Sequence, residues 1–477
     1  MTFPRAQTPV DPPAGSWSPN SSAELEMIGS WVANQRWYAN KGALPLLERI
    51  GGWTMPAQAP GVELVTHLFL DHTVGKPALY QVPIVYRATQ SNDAGTSIGE
   101  LNGRHLYDGP HDAEYASALL DFILREHEVT GDKTWVIGSR SPGDKPTAAL
   151  HSRVLTGEQS NTSIIFESDA SAAAPVILKL FRAIHHGENP DVELQTALAA
   201  AGSDAVPRPT GHVLAEWDDR GQPTGRARGH LAFAQEFLPA AEDAWRIALD
   251  SAADGRDFST EAYALGVATA GVHGTLAVAM PTRPATTDDI AATITEMHGR
   301  LAAAIAEVPA LSTHAAAIEA VFATARTADW PYQQRIHGDL HLGQVLGVPG
   351  RSWVLVDFEG EPLRPMPERS RLDNPLRDVA GMLRSFDYVA GSIAVSAGVD
   401  APAAHRARVW ASRARAAFEE GYAAASGQNL VQNRALLDAF ELDKALYETV
   451  YEARNRPDWL AIPVAAIERL VTRAPAG

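Results

Sequence analysis

His337-Gly338-Asp339-Leu340-His341-Leu342-Gly343-Gln344, followed by Val354-Leu355-Val356-Asp357-Phe358-Glu359-Gly360, is the stretch on which the reading of this chain turns. Asp339 precedes Gln344 by five residues and Asp357 by eighteen, a separation that lets a loop and a following hairpin return two carboxylates and an amide to one point. Such a point suits Mg2+, a hard cation that takes carboxylate and carbonyl oxygens and keeps its other positions for water and phosphate oxygens. Asp357 follows an apolar strand, a rigid mount for a metal ligand. Asp339 can then orient, or accept a proton from, a hydroxyl that attacks a γ-phosphate. Any one of these residues alone reads as a turn former beside glycine; the combination points to phosphoryl transfer.

The rest of the composition is compatible with that reading and narrows it. At 477 residues the chain exceeds a single ordinary core, and at about 150 residues per domain it divides into two to four packed units. Its 45% apolar and 20% charged residues are ordinary globular usage. Forty Lys and Arg against 57 Asp and Glu give a formal charge of −17, a field that repels nucleic acid and anionic lipid. A phosphorylated ligand must therefore be held by a few placed cations, backbone amides or a metal. The absence of cysteine excludes disulfides, thiol catalysis and thiolate metal sites. The Pro- and Ser-rich start, residues 1–22, has no continuous apolar stretch and reads as a flexible extension rather than a signal peptide or membrane span. A cytoplasmic location is expected.

An amphipathic helix is predicted from Ser22, with Leu25, Ile28, Trp31 and Val32 at helical spacing behind the capping residues Asn20, Ser21 and Ser22. GVELVTHLFLDH and ALYQVPIVYRA then read as antiparallel strands. Hairpins are expected between Ala148 and Phe181, and a helix from Asn189-Pro190-Asp191. Beyond residue 240, Ala-rich runs at 261–280, 288–307 and 403–426 predict a mainly helical half. The expected division is a cap at 23–130, a strand-rich nucleotide lobe at 131–239 and a helical lobe at 240–477.

HGDLHLGQVL resembles the catalytic loop of the aminoglycoside phosphotransferase-like kinases. Gln344 in place of the usual Asn, DFEGEP, NPLRDVAGMLRSFDY, QRWYANKG, EQSNTSIIF, NPDVEL and ELDKALYETVYEARNRPDWLAIP are similar to segments of the actinobacterial maltokinases, so the likeness runs through nearly all the chain after residue 22. The resemblance implies an α+β, bilobal, protein-kinase-like fold with a strand-rich N-lobe, a helical C-lobe and an additional N-terminal cap. It implies ATP as co-substrate and Mg2+ as cofactor, with Asp339 as base and Gln344 and Asp357 as metal ligands.

Lys179, in the apolar strand Val176–Phe181, is suited to gripping nucleotide phosphates, and the resemblance pairs it with Glu193 in the next helix. Ser160, Asn161 and Thr162 stand where the similar segment covers the phosphates, although the composition suits a plain hairpin turn as well and departs from GxGxxG. Glu236 and Leu238 fall where family analogy puts the backbone edge that binds adenine. His341 resembles a position near catalysis or a loop brace, while His337 is expected to brace the loop. Tyr447 and Tyr451, four apart on a helix, match a region that lines the sugar site, or else form an aromatic stripe packed on the core. Asp373, Arg377 and Asp378 are expected to act structurally at the start of the helix after the metal loop.

Maltose, giving maltose 1-phosphate, is the acceptor the resemblance implies. Glucosamine or another amino sugar is the alternative, because actinobacterial glucosamine kinases are close to the maltokinases and an acidic protein suits a cationic acceptor. A catalytically silent nucleotide-binding protein on the same fold is the third reading. Intact Lys179, Glu193, Asp339, Gln344 and Asp357 weigh against it.

Overall fold

The structure is a computed structural model that describes residues 21–75, 77–91, 97–142, 151–155, 160–168, 174–361, 364, 366–397 and 401–473. The expected extension lies almost wholly outside the described residues, as do Gly157, Glu158 and Gln159 of the expected hairpin turn.

Helix α1 (Ser22–Val32) starts where the sequence predicts, with the Ser21 side chain accepting from the Glu24 N–H. It lies on a sheet of β1 (Leu47–Met55), β2 (Val62–Asp71), β3 (Ala78–Arg87), β4 (Ser97–Leu101) and β5 (Arg104–Asp108), in the order β1-β2-β3-β5-β4. Both faces of this antiparallel sheet are covered, so β2 and β3 read as continuous buried runs rather than alternating ones. Ile28, Val32, Trp37, Tyr38, Tyr80 and Tyr86 pack on one face. On the other, α2 (Ala113–Leu124) joins the cap to the next sheet through Trp53, Tyr115, Phe122 and Ile123.

That second sheet is built from β6 (Glu128–Thr130), β7 (Thr134–Arg140), β8 (His151–Val154), β9 (Asn161–Glu167), β10 (Val176–Phe181), β12 (Pro209–Asp218) and β13 (Arg226–Glu236), in the order β6-β7-β12-β13-β10-β9-β8. The expected hairpins are present: β8 pairs with β9, and β9 with β10, all antiparallel. Short β11 (Ala183–Ile184) leaves this sheet and pairs with β3 of the cap. Helix α3 (Pro190–Ala200) follows, with the Asn189 side chain accepting from Asp191 N–H at 2.8 Å and Pro190 in its first turn.

The remaining half is helical: α4 (Ala244–Asp254), α5 (Ser259–Ala279), α6 (Thr287–Glu307), α7 (Ala315–Arg326), α8 (Met366–Arg369), α9 (Leu376–Ala397), α10 (Ala401–Ser426), α11 (Arg434–Asn455) and α12 (Ala461–Arg473). The predicted Ala-rich runs are α5, α6 and α10. Small residues let α5 and α10 approach closely: a methyl at Gly266 or Gly421 would lie within 2.2 Å of the other helix's backbone. By length and composition α5 is apolar enough to cross a membrane, yet half of that stretch is buried in the helical core. A three-stranded sheet of β14 (Glu242–Asp243), β15 (Val345–Gly347) and β16 (Trp353–Leu355) sits at the junction of the two halves.

Candidate active site

The register of the β15–β16 hairpin assembles the centre of the site. Val345 faces Leu355, and the next rung is closed by Val356 N–H donating to the Gln344 carbonyl at 3.0 Å. Gln344 and Asp357 therefore meet, with the Gln344 amide donating to Asp357 Oδ2 at 3.0 Å. Asp357 lies two residues beyond β16 rather than in the strand, at φ +65°. This left-handed conformation is one that Asp tolerates better than most side chains.

Lys179 reaches the same point from the centre of β10. Its ammonium lies 2.6 Å from Asp357, 2.7 Å from Glu359 and 3.2 Å from Asp191. Burial disfavours its charge, but the three carboxylates outweigh that and hold its pKa well above the usual lysine value. Burial likewise pushes the Asp357 carboxyl up, and Lys179 overcomes it, leaving Asp357 below the usual range. Glu359 is raised, by its own burial and by repulsion from Asp357 and Asp191.

The expected Lys179–Glu193 pair is not formed: Glu193 binds Arg335. Asp191, two residues earlier, takes the lysine instead. The Asn189 cap and Pro190 turn Asp191 inward, where Oδ1 also accepts from Phe358 N–H at 2.8 Å and Gln195 at 2.6 Å. Residues two apart in a helix do not share a face, so one helix turn cannot serve both.

Carboxylate oxygens of Asp191, Asp357 and Glu359 lie within 4.8 Å of one another. Three hard oxygen donors around one point fit Mg2+ better than any softer ion. The sequence singled out Asp357 but neither Asp191 nor Glu359. Their signals were the inward face of the helix cap in NPDVEL and the second acid in DFEGEP.

The other expected nucleotide residues divide. Asn161 joins the cluster, donating to Glu359 Oε1 at 3.0 Å. Thr162 turns away, its hydroxyl accepting from buried Arg182 at 2.8 Å, so it offers no hydroxyl to phosphate in this arrangement. Ser160 is exposed. Glu236 ends β13, and its carboxylate accepts from Arg208 and from Arg351, each at 3.2 Å, linking the two halves. The Leu238 carbonyl accepts from Ala241 N–H at 3.1 Å as the chain turns towards α4.

Asp339 is set by its loop. Gly338 has φ +83°. The N–H groups of His337 and Gly338 both donate to Asp378, at 2.8 and 2.9 Å, and His273 bonds the same carboxylate at 2.9 Å. Burial raises the Asp378 pKa, but these bonds more than offset it and leave the group below the usual range. Helix α9 packs so closely on the loop that a methyl at Gly381 would meet the Leu340 carbonyl at 2.5 Å. His337 braces the loop as expected, through the Val356 carbonyl at 3.0 Å. His341 accepts from Gly343 N–H at 3.1 Å, bracing its own turn, and burial lowers its pKa.

A cavity beside Asp339 is walled by Arg300, Glu361, Phe440, Asp443 and Lys444. Lys444 bonds Asp339 Oδ1 at 2.9 Å and Glu361 Oε1 at 2.8 Å, and its ammonium stands 5.2 Å from the centre of the Tyr447 ring. Tyr451, one turn on, is 43% exposed and carries the Arg456 guanidinium over its ring at 5.5 Å. Arg377 pairs with Asp373 and Asp443, in the structural role expected of it.

Residues 151–440 match the phosphotransferase enzyme family, and residues 31–112 match the maltokinase N-terminal cap domain. The chain therefore belongs to the phosphotransferase enzyme family, as an aminoglycoside phosphotransferase-like kinase that transfers phosphate to an alcohol group. A glucosamine kinase of Streptacidiphilus jiangxiensis is 31% identical over 69% of this chain and 78% of its own. One of Mycolicibacterium smegmatis is 29% identical over 80% of this chain and 94% of its own. A solved glucosamine kinase, in complex with glucosamine, ADP and inorganic phosphate, superposes with a TM-score of 0.65 at 22% identity, over 93% of this chain and 98% of that one. It shares the two-lobed, capped fold.

Proposed function

We propose that this kinase phosphorylates maltose to maltose 1-phosphate in the cytoplasm, with ATP as donor. The observation that carries the reading is Asp339, which lines the cavity and lies two residues after His337, whose ring bonds the Val356 carbonyl at the head of the loop bearing Asp357 and Glu359; the maltokinase-type cap supports the acceptor. In the reaction the acceptor hydroxyl oxygen bonds to the γ-phosphorus, the bond from that phosphorus to the β–γ bridging oxygen breaks, and ADP leaves. Asp339 orients the hydroxyl and takes its proton on Oδ2, the oxygen that Lys444 does not hold. Lys179, steadied by Asp191, binds phosphate oxygens, and Asn161 and Ser160 offer further donors to them. Glu236 and Leu238 lend backbone to adenine, and Tyr447 and Tyr451 flank the sugar. Gln344 and Asp357, with Glu359, are the residues that would hold Mg2+, which supplies positive charge against the phosphates.

Glucosamine is the second reading, favoured by the two curated relatives. Coupled ADP-release assays with maltose, glucosamine and an aminoglycoside decide between them; turnover of the amines alone would overturn maltose. Asp339→Asn should lower sugar-dependent ADP formation by about 10²–10⁴-fold while ATP still binds. Retained turnover would reject the role of Asp339.

A further inference from the structure

The carboxylates on the acceptor side of the cavity already have resident cations. Lys444 bridges Asp339 and Glu361 at 2.9 and 2.8 Å. Glu361 also receives Arg364 at 3.1 Å and Arg300 at 3.6 Å, and Asp443 holds Arg300 and Arg377. Burial disfavours the Lys444 ammonium, but Asp339 and Glu361 hold its pKa above the usual lysine value, so it stays charged. A sugar entering beside Asp339 thus meets a fixed cation, and no carboxylate in this group of three lacks a partner cation with which to pair a new amine.

We propose that Lys444 is a specificity-determining residue: by placing its own ammonium between Asp339 and Glu361, it selects acceptors that carry no positive charge beside the reacting hydroxyl. A second ammonium there would be repelled at close range in a partly dry site, while hydroxyl groups can accept a hydrogen bond from Nζ. This rests on the reading of Asp339 as the base facing the acceptor, and it names the acceptor's charge rather than its size.

Glucose and glucosamine, which differ in one substituent, and maltose beside them, test it. Wild type should show kcat/KM for glucose at least about 10-fold above that for glucosamine. Lys444→Met should shift that ratio towards the amine by about 10-fold or more, and Lys444→Arg, which keeps the charge, should hold it. Thermal unfolding and ATP affinity, measured on each variant, separate this from loss of fold. A wild type that prefers glucosamine, or a folded, ATP-binding Lys444→Met enzyme whose ratio does not move, overturns the proposal. If Lys444→Met does not fold, the wild-type ratio and Lys444→Arg decide. Rejection of maltose with glucose still preferred over glucosamine overturns only the maltose reading, whereas maltose turnover with an unmoved ratio overturns only the role of Lys444. Turnover of no sugar overturns both.

Discussion

Asp357 and Asp191 flank one ammonium, yet they contribute to the molecule in different ways. Asp357 occupies a left-handed backbone conformation that costs a non-glycine residue on the order of 1–3 kcal/mol, and it adds a third negative charge around Lys179. Asp191 is 1% exposed and holds Phe358 N–H, Gln195 and Lys179 at once. Removing its side chain strands a buried N–H, at a cost of about 1–3 kcal/mol. Asp191→Ala should therefore destabilise by about that amount or more. Asp357→Asn, which tolerates the same backbone and leaves Lys179 paired with Asp191 and Glu359, should cost less stability than Asp191→Ala while abolishing ADP formation. Denaturant unfolding of the two variants checks the contrast, and equal stability losses would refute it.

At the scale of elements, the cap shows how a buried hydrogen-bond chain makes stability depend on pH. His67 on β2 accepts from Arg49 Nε through Nδ1 at 3.1 Å, so its proton sits on Nε2, 2.9 Å from the Tyr86 hydroxyl on β3, which donates to Glu24 of α1 at 2.8 Å. Burial, with the Arg49 charge adding to it, drops the His67 pKa to about 3. The unfolded chain takes up this proton near pH 6.5 and the folded cap does not. The stability is thus full above about pH 6.5 and declines by about 1.4 kcal/mol for each pH unit below it. Thermal unfolding at pH 7.5 and 5.0 should show a steeper loss in wild type than in His67→Gln; identical slopes would exclude His67 as the source.

The same scale explains what the sequence revealed. Gln344 and Asp357 were legible because one hairpin closes the separation of thirteen positions between them, and the helical runs were legible from local periodicity. Lys444 was not: it sits in a helical pattern where a lysine usually faces solvent, and its partner Asp339 is 105 residues away. Nor did the sequence resolve Asp191 from Glu193, since both acids lie in the first turn of α3 and only the folded contacts show that Asp191 takes Lys179 while Glu193 takes Arg335.

Across the whole molecule, the cap and the strand-rich lobe are fastened at the end of the strand that carries Lys179. Beyond β10 the chain pairs with β3, and the Gln81 amide donates to the carbonyls of Phe181 at 2.6 Å and Leu231 at 2.5 Å. Arg182, 1% exposed, holds Asp108 with two bonds of 2.9 and 2.7 Å and Thr162 with one of 2.8 Å, and its guanidinium lies 5.0 Å from the Trp37 ring. One side chain thus ties cap residues Trp37 and Asp108 to β9 and β10. Because Asp108 is itself 4% exposed, Arg182→Met would leave a buried charge without its partner, a loss of about 3–5 kcal/mol. Adding Asp108→Asn removes that stranded charge and should recover part of the loss. If the fastening joins the two units, wild type unfolds cap and strand-rich lobe in one calorimetric transition, and Arg182→Met separates an earlier-melting cap from the rest. An Arg182→Met protein that melts at the wild-type temperature in a single step would show that the strand pairing alone joins them.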